Sequence, residues 1–338
     1  MKKNKLMVVG AHCDDIELCY GATMLKYHEQ FGYEIVYVQS TNNMSGSWTE
    51  AVEGERAATA PKVPAWVTDI QSTPVNRRMV HQVPWYIEMA QRKLEAANSA
   101  RKFFHTEPIH LDYAQRHYWN RDLKMVDLRY GSPPPDCLDP EIPTIMTACD
   151  DPSAINRVAD LILEKDPEVI LTHAAVDYTF EHTGTTLLMK HAFNKALEKG
   201  YDGSLLCSVP SGGMGMGKFF DRWDSFVDTT GYLAKKYEAI GMHACQMPYP
   251  EDLDLMDAVR GKICGVGEIE PYTVVELSET RKGTLTQELA KNHIFCNKNW
   301  MKLFFSPESK KILADFHDGF NRRNGITPRK KAKCNATP

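Results

Sequence analysis

The stretch MVVGAHCDDIELCYG, Met7 to Gly21, ends an apolar run abruptly in His12, Asp14 and Asp15. Two carboxylates and an imidazole within four positions pair or repel strongly, and burying them without partners is costly. One account is a helix cap: one aspartate caps, the other is favoured by the helix dipole, and His12 bonds nearby. That account explains one aspartate well and the second poorly. The other account is a metal site, in which a divalent cation offsets the charge. Histidine and aspartate are proper zinc ligands, and catalytic zinc commonly has three protein ligands plus water. A further ligand must then come from another strand end on the same edge. The segment LTHAAVDYTFEHTGTTLLMKH offers two candidates, His173 closing a predicted strand and His182 opening the next helix.

The elements that would position these residues alternate. Leu6–His12 is a continuous apolar run, the pattern of a strand covered on both faces. Glu17–Gln30 carries Leu18, Ala22 and Leu25 at helical spacing, with an aspartate available to cap its start and Gly32 to stop it. Tyr33–Ser40 reads as a second strand, Tyr86–Phe104 as a helix and Glu107–Tyr113 as a third strand. Asp151–Glu164 is helical, with Pro152 in its first turn. Glu168–His173 is a fourth strand and Thr183–Lys199 another helix. Ser225–Asp228 is a candidate fifth strand, leading into a helix that ends near His243. The alternation predicts an α/β fold with right-handed crossovers, a mostly parallel sheet and helices on both faces.

Two stretches break the rhythm. Residues 41–85 hold Trp48, Trp66 and Trp85, and residues 114–150 include Pro133–Pro135. Both follow the carboxyl end of a predicted strand, the edge where open α/β sheets bind ligands, so they predict a built-up pocket rim.

Composition sets outer bounds. With 338 residues, 43% hydrophobic and 25% charged, the chain can bury a sizeable core. A net charge of −4 gives no push toward nucleic acid or an anionic membrane. No apolar window approaches a membrane span. The nine cysteines are scattered without metal or disulfide spacing, and Cys19, Cys149 and Cys207 read as reduced, buried thiols. The apolar run after MKKNKL is too short for a signal-peptide core, so a cytoplasmic protein is expected. The chain is expected to form one domain, with a core over about 5–250, a C-terminal elaboration over 251–328 and a basic tail over 329–338.

AHCDDIE is close to the AHPDDxE signature of the PIG-L/LmbE family of zinc-dependent N-acetylglucosaminyl deacetylases, which this chain resembles, with Cys13 where proline is usual. TFEH, Thr179 to His182, is similar to that family's HPDH motif. KYEAIGMHACQ resembles its K-x-x-A…H-x-S-Q segment through Lys236, Ala239, His243 and Gln246, with Cys245 replacing serine. Arg92 and Glu95 match an R-x-x-E helix. The resemblance implies a Rossmann-like fold and removal of an N-acyl group from an amino sugar or related glycan. It implies His12, Asp15 and His182 as ligands of Zn²⁺ or another divalent metal, and Asp14 as general base. Arg92 would then reach substrate hydroxyls or a phosphate, unless it is a surface pair with Glu95. Thr179 departs from the family histidine and cannot carry a positive charge at neutral pH. His243 is the first expected substitute and Tyr178 the second. His173 is expected to fix the loop, Asp122 to bind a sugar hydroxyl, and Trp48 either to stack on a sugar or to pack in the core.

Other readings compete. Gly212 through Lys218 forms most of a Walker A loop, but Phe219 stands where the magnesium-binding Ser/Thr belongs. H-x-D with a distant histidine is also the facial triad of non-haem Fe(II) enzymes. A third reading is a catalytically impaired, metal-containing glycan-binding protein. The expected partners are an N-acetylated small molecule or oligosaccharide and a second copy of the chain.

Overall fold

Leu6, Met7, Val8 and Val9 are all buried because both faces of the central sheet are covered. The computed structural model describes residues 4–67, 73–75, 77–128, 143–174, 177, 179–209, 223, 225–253, 255–277, 294–295 and 311. Strand β1 (Lys5–Gly10) leads into helix α1 (Asp15–Phe31), which Gly32 ends with a left-handed φ of 68°. Strand β2 (Glu34–Thr41) follows, and then β3 (Trp48–Ala51), α2 (Arg56–Thr59), β4 (Thr73–Val75) and β5 (Arg78–His81). Helix α3 (Trp85–Phe104) returns to β6 (Ile109–Tyr113), after which β7 (His117–Trp119) and β8 (Met125–Asp127) form a hairpin. Helices α4 (Ile145–Ala148) and α5 (Pro152–Lys165) precede β9 (Val169–Thr172), α6 (Phe180–Glu198) and β10 (Ser204–Ser208). The described chain closes with β11 (Ser225–Asp228), α7 (Leu233–Ile240), α8 (Asp257–Cys264), β12 (Ile269–Leu277) and β13 (Ile294–Phe295).

The sheet runs β13-β11-β12-β10-β9-β1-β2-β6. The five strands from β10 to β6 are parallel, while β12 is antiparallel to both β10 and β11, and β13 is antiparallel to β11. The sheet is thus mostly parallel, as expected. The fifth parallel strand is β10, and Ser225–Asp228 lies in the antiparallel flank. Alternate residues of β1 serve the two layers. Leu6 and Val8 pack with Ile16, Tyr20 and Met24 of α1 and with Phe103 of α3. Met7 and Val9 pack with Val158 and Ile162 of α5 and with Leu188 and Phe193 of α6. Each such buried side chain contributes about 1.5–3 kcal/mol of apolar burial.

The topology selects the site. The chain runs outward from β1 through β2 to β6, then returns to start β9 on the other side of β1. The β1/β9 boundary is the switch point, where the loops after the two strands diverge and leave a crevice. The stretches 41–85 and 114–150 are more than irregular rim. They hold the three-stranded sheet β3-β5-β4 and the β7-β8 hairpin.

Candidate active site

After β1 the chain must turn, and each buried amide of that turn needs an acceptor. Ala11 N–H donates to His173 Nε2 at 2.8 Å, His12 N–H to Asp15 Oδ2 at 2.7 Å and Cys13 N–H to Asn43 Oδ1 at 2.8 Å. Asn43, just after β2, holds a positive φ of 60°, which asparagine tolerates better than most residues. Thr41 Oγ1 donates to the Ala11 carbonyl at 2.6 Å. The ends of β2 and β9 therefore lock the turn after β1. The aspartate cap expected for α1 is absent: Asp14 holds the N-cap position without a capping side-chain bond. Asp15 bonds back to His12, and Asp14 turns to Arg92.

Asp15 is the hub. Its Oδ2 lies 3.0 Å from His12 Nδ1, 3.2 Å from His182 Nε2 and 3.3 Å from His173 Nε2. Burial raises the Asp15 pKa, but the imidazoles of His182, His12 and His173 hold it well below the usual carboxylate range. Burial likewise lowers His182, yet Asp15 and Asp177 push it up to about 10. His12, Asp15 and His182 offer ligand atoms that all lie within 4.8 Å of one another. Two nitrogens and a carboxylate oxygen, in a field that draws positive charge, fit a divalent cation such as zinc.

His173, Asp177 and His182 make a second such group, which shares His182 with the first, but its other two members are otherwise engaged. His173 Nε2 is taken by the Ala11 amide, and its ring lies flat on that of His182, with centroids 3.9 Å apart and planes 5° apart. Burial, and then His182, lower the His173 pKa, so it stays neutral. Asp177 Oδ2 lies 3.2 Å from His182 Nδ1, on the far side of the ring from Asp15. A carboxylate there fixes the ring and its tautomer.

Arg92 and Glu95 are not a surface pair, since both are buried. Arg92 Nη2 donates to Asp14 Oδ1 at 2.8 Å and Nη1 to the Ser45 carbonyl at 2.7 Å. Its guanidinium is spent on the protein, chiefly on Asp14. Burial lowers the Arg92 pKa and Asp14 more than offsets this, leaving it raised. A Cβ at Gly46 would meet Glu88 Oε1 at 2.5 Å and Arg92 Nη1 at 3.0 Å, so a side chain here would have to displace the ends of these buried groups.

These residues floor a cleft of about 380 Å³. His12, Asp14, Asp15 and His182 line it together, with Thr179 beside them at the N-cap of α6. His243 is not among the lining residues. It is 1% exposed, and its Nε2 donates to Glu17 Oε2 at 2.9 Å on the buried side of α1. Burial lowers its pKa and Glu17 more than restores it, leaving it raised. Asp122 is exposed in the β7-β8 turn, with its amide donating to Asn120 Oδ1 at 2.9 Å. Trp48 packs against Val83 and Cys245. Tyr178 lies outside the described residues, as does the Gly212–Lys218 loop.

Sequence reasoning passed over Asp177, Gln115, Arg116, His117 and Trp119. Asp177 carries one signal, the D-x-T spacing before a helix, and its Oδ1 accepts the Thr179 amide at 3.1 Å. The other four line the cleft just beyond the carboxyl end of β6. They fall in the stretch marked as pocket rim, but their types carry no spacing rule.

Among the described residues, no helix is long and apolar enough to cross a membrane. No curated protein matches the sequence. Solved structures do. N,N'-diacetylchitobiose deacetylase from Pyrococcus horikoshii aligns with a TM-score of 0.50 at 16% identity, over 80% of this chain and 84% of that one. A conserved protein from Thermus thermophilus gives 0.50 at 16%, over 80% and 94%. GalB, the 4-carboxy-2-hydroxymuconate hydratase from Pseudomonas putida, gives 0.53 at 19%, over 82% and 97%. At these identities the likeness is one of fold, and a fold hosts more than one chemistry. Residues 7–193 match the family described as PIG-L, GlcNAc-PI de-N-acetylase, and span β1 through most of α6 with every candidate ligand. With more than half of its length matched, the chain belongs to the PIG-L (GlcNAc-PI de-N-acetylase) family.

Proposed function

We propose that this protein is a metal-dependent hydrolase that removes an N-acetyl group from an amino sugar or related glycoconjugate. One observation carries the reading: Asp14, clamped by Arg92, stands in one cleft with the ligand set His12, Asp15 and His182. When bound by those three residues, a divalent metal supplies Lewis acidity toward an amide carbonyl and toward water. The chain's own groups handle binding and protons. Arg92 holds Asp14 Oδ1, leaving Oδ2 to accept a proton from the attacking water. As the C–N bond breaks, Asp14 returns that proton to the amine nitrogen, and acetate and free amine leave. The Thr179 hydroxyl can donate a hydrogen bond to the carbonyl oxygen but not a charge.

The test is acetate release from a panel of N-acetylated sugars by zinc-loaded protein. Release that stops with a chelator and returns with zinc is expected. Sugar binding without release from any member would favour the non-catalytic glycan-binding reading, to which Thr179 in place of an imidazole points.

A further inference from the structure

Among the described residues Trp66 is the most exposed large apolar side chain, at 62%. A lone exposed leucine is ordinary, but a bare tryptophan leaves a large, flat apolar face in water. Trp66 sits in the short turn Ala65–Val67. Its ring is parallel to that of Tyr86, with planes 6° apart and centroids 6.5 Å apart. That separation is at the long end of offset stacking, so the two rings cover little of one another and present one broad, stepped face. Tyr86 is held in place. Trp85 meets it edge-on at 5.8 Å and 87°, and Trp85 packs against the core of Met44, Ala114, Tyr118 and Leu128.

The face adjoins the cleft from two sides. Tyr86 lies on α3 six residues before Arg92, about 9 Å along the helix, and Gln82, just before α3, lines the cleft. On the other side Trp119 of β7 lines the cleft, and Arg121, in the turn after it, brings its guanidinium carbon to 5.9 Å from the Tyr86 ring centroid. Trp119, Tyr86 and Trp66 thus form an aromatic series that runs outward from the cleft.

We infer that Trp66 and Tyr86 form a subsite for a further sugar unit, so that the protein takes an oligosaccharide whose N-acetylated unit lies in the cleft. This rests on the glycan reading above for what fills the cleft. A pyranose ring has an apolar C–H face and a rim of hydroxyls. Laid on the parallel rings, it removes both apolar faces from water while its hydroxyls stay hydrated. An alkyl chain leaves water only in an enclosed groove, whereas a ring as exposed as Trp66 offers a flat, open surface. The cleft, about 380 Å³, is near the lower end of ligand sites, so a glycan longer than one unit must leave over its rim. The stacking considered for Trp48 falls to Trp66, since Trp48 is buried.

The test uses N-acetylglucosamine and its β-1,4-linked dimer and trimer as substrates. The corresponding glucosamines, which carry no acetyl group, are titrated calorimetrically into zinc-loaded protein. We expect kcat/KM and amine affinity to rise roughly tenfold from monomer to trimer, the effect of about 50–60 Å² of newly buried apolar surface. Trp66→Ala should erase that rise and Trp66→Tyr should keep part of it; metal content and melting temperature show that each variant is folded. Each added glucosamine brings a positive charge, but Trp66→Ala leaves the protein's charge unaltered, so general attraction cancels in the comparison. No rise with chain length, or a rise that survives Trp66→Ala, overturns the inference; acetate release in the same assays would leave the deacetylase reading standing. An octyl glucosaminide that gains more from Trp66 than the trimer does would give the face to an alkyl chain. A native dimer that Trp66→Ala dissociates in sedimentation would give it to a second copy of the chain. Either result also overturns the inference. A Trp66-dependent rise in amine affinity without acetate release would sustain it while the deacetylase reading failed.

Discussion

Asp14 and Asp15 are neighbours in sequence yet serve different partners, and that division is the chemical content of the motif. Asp15 meets imidazoles at 3.0–3.3 Å, while Asp14 meets Arg92 at 2.8 Å. Asp14→Asn keeps the volume and, on the proposed mechanism, removes the base. It should retain one equivalent of metal while turnover falls by about a hundredfold or more. His182→Ala should instead strip the metal; metal analysis of both proteins separates the roles, and loss of metal from Asp14→Asn would reverse the two aspartates. For His243 the expectation follows from burial. Glu17 is fully buried and accepts from His243, from Ser99 Oγ at 2.6 Å and from Tyr37 Oη at 3.0 Å. His243→Ala leaves a buried carboxylate short of one hydrogen-bond donor, which costs roughly 1–3 kcal/mol. We expect a lower melting temperature with metal content kept and kcat within about tenfold of native. A drop beyond a hundredfold at unchanged stability would return His243 to the catalytic groups.

At the scale of elements, α3 shows how one helix face builds a floor. Glu88, Arg92 and Glu95 follow at i, i+4 and i+7 and are all buried. Arg92 clamps Asp14, Glu95 accepts the Cys245 amide at 3.0 Å, and Gln246 Nε2 donates to Glu88 Oε1 at 2.7 Å. Burial raises the Glu88 pKa from 4.5 to about 7, against the pull of Arg92. The folded state then holds a proton that an unfolded glutamate has released, so stability from this group falls as pH rises from about 4.5 to about 7. Glu88→Gln removes the titration. Its denaturation midpoint should vary less than that of the native protein across this window and exceed it at pH 8; parallel pH profiles would refute the assignment. The same helix marks the limit of sequence reading. Its existence was legible from periodicity and its R-x-x-E match from the family resemblance, but i,i+3 spacing alone reads equally as a solvated pair. Burial decided the matter, and burial is a property of what packs on the helix. Likewise ligand-type residues at two strand ends were legible, but the expectation of Asp15 over Asp14 and of His182 over His173 came from the family resemblance. Arg116 and Trp119 were not legible, because a hairpin folded back over the edge brings them there. Strand β10 escaped because SLLCS is only five residues long.

Across the whole molecule, the family match stops at residue 193, and the elements C-terminal to it must be tied to the β1-α1 unit that carries the site. Lys236 does much of that tying. On α7, fully buried, its Nζ donates to Asp257 Oδ2 of α8 and to Glu270 Oε1 of β12, both at 2.6 Å. Glu270 in turn accepts the Ala22 and Thr23 amides of α1 at 3.1 and 2.7 Å. Burial lowers the Lys236 pKa, and Asp257 and Glu270 more than offset it, so the ammonium stays charged. Three elements thus meet on one cation, and Glu270 ties α1 to them as a fourth. Buried ionic groups of this kind are weak evidence for net stability, but removing one partner leaves the others uncompensated. Lys236→Met should therefore lower unfolding free energy by about 3–5 kcal/mol. The triple substitution Lys236→Met, Asp257→Asn, Glu270→Gln should recover part of the loss, because no charge is then stranded. Chemical denaturation of the three proteins decides it. A loss below about 1 kcal/mol in the single variant would mean that water reaches the triad and that apolar packing of α7 on α1 carries the junction. If the triad holds as described, the single variant should also release metal at lower chelator concentration, since α1 begins at Asp15 and any loosening of that helix reaches the proposed ligand set directly.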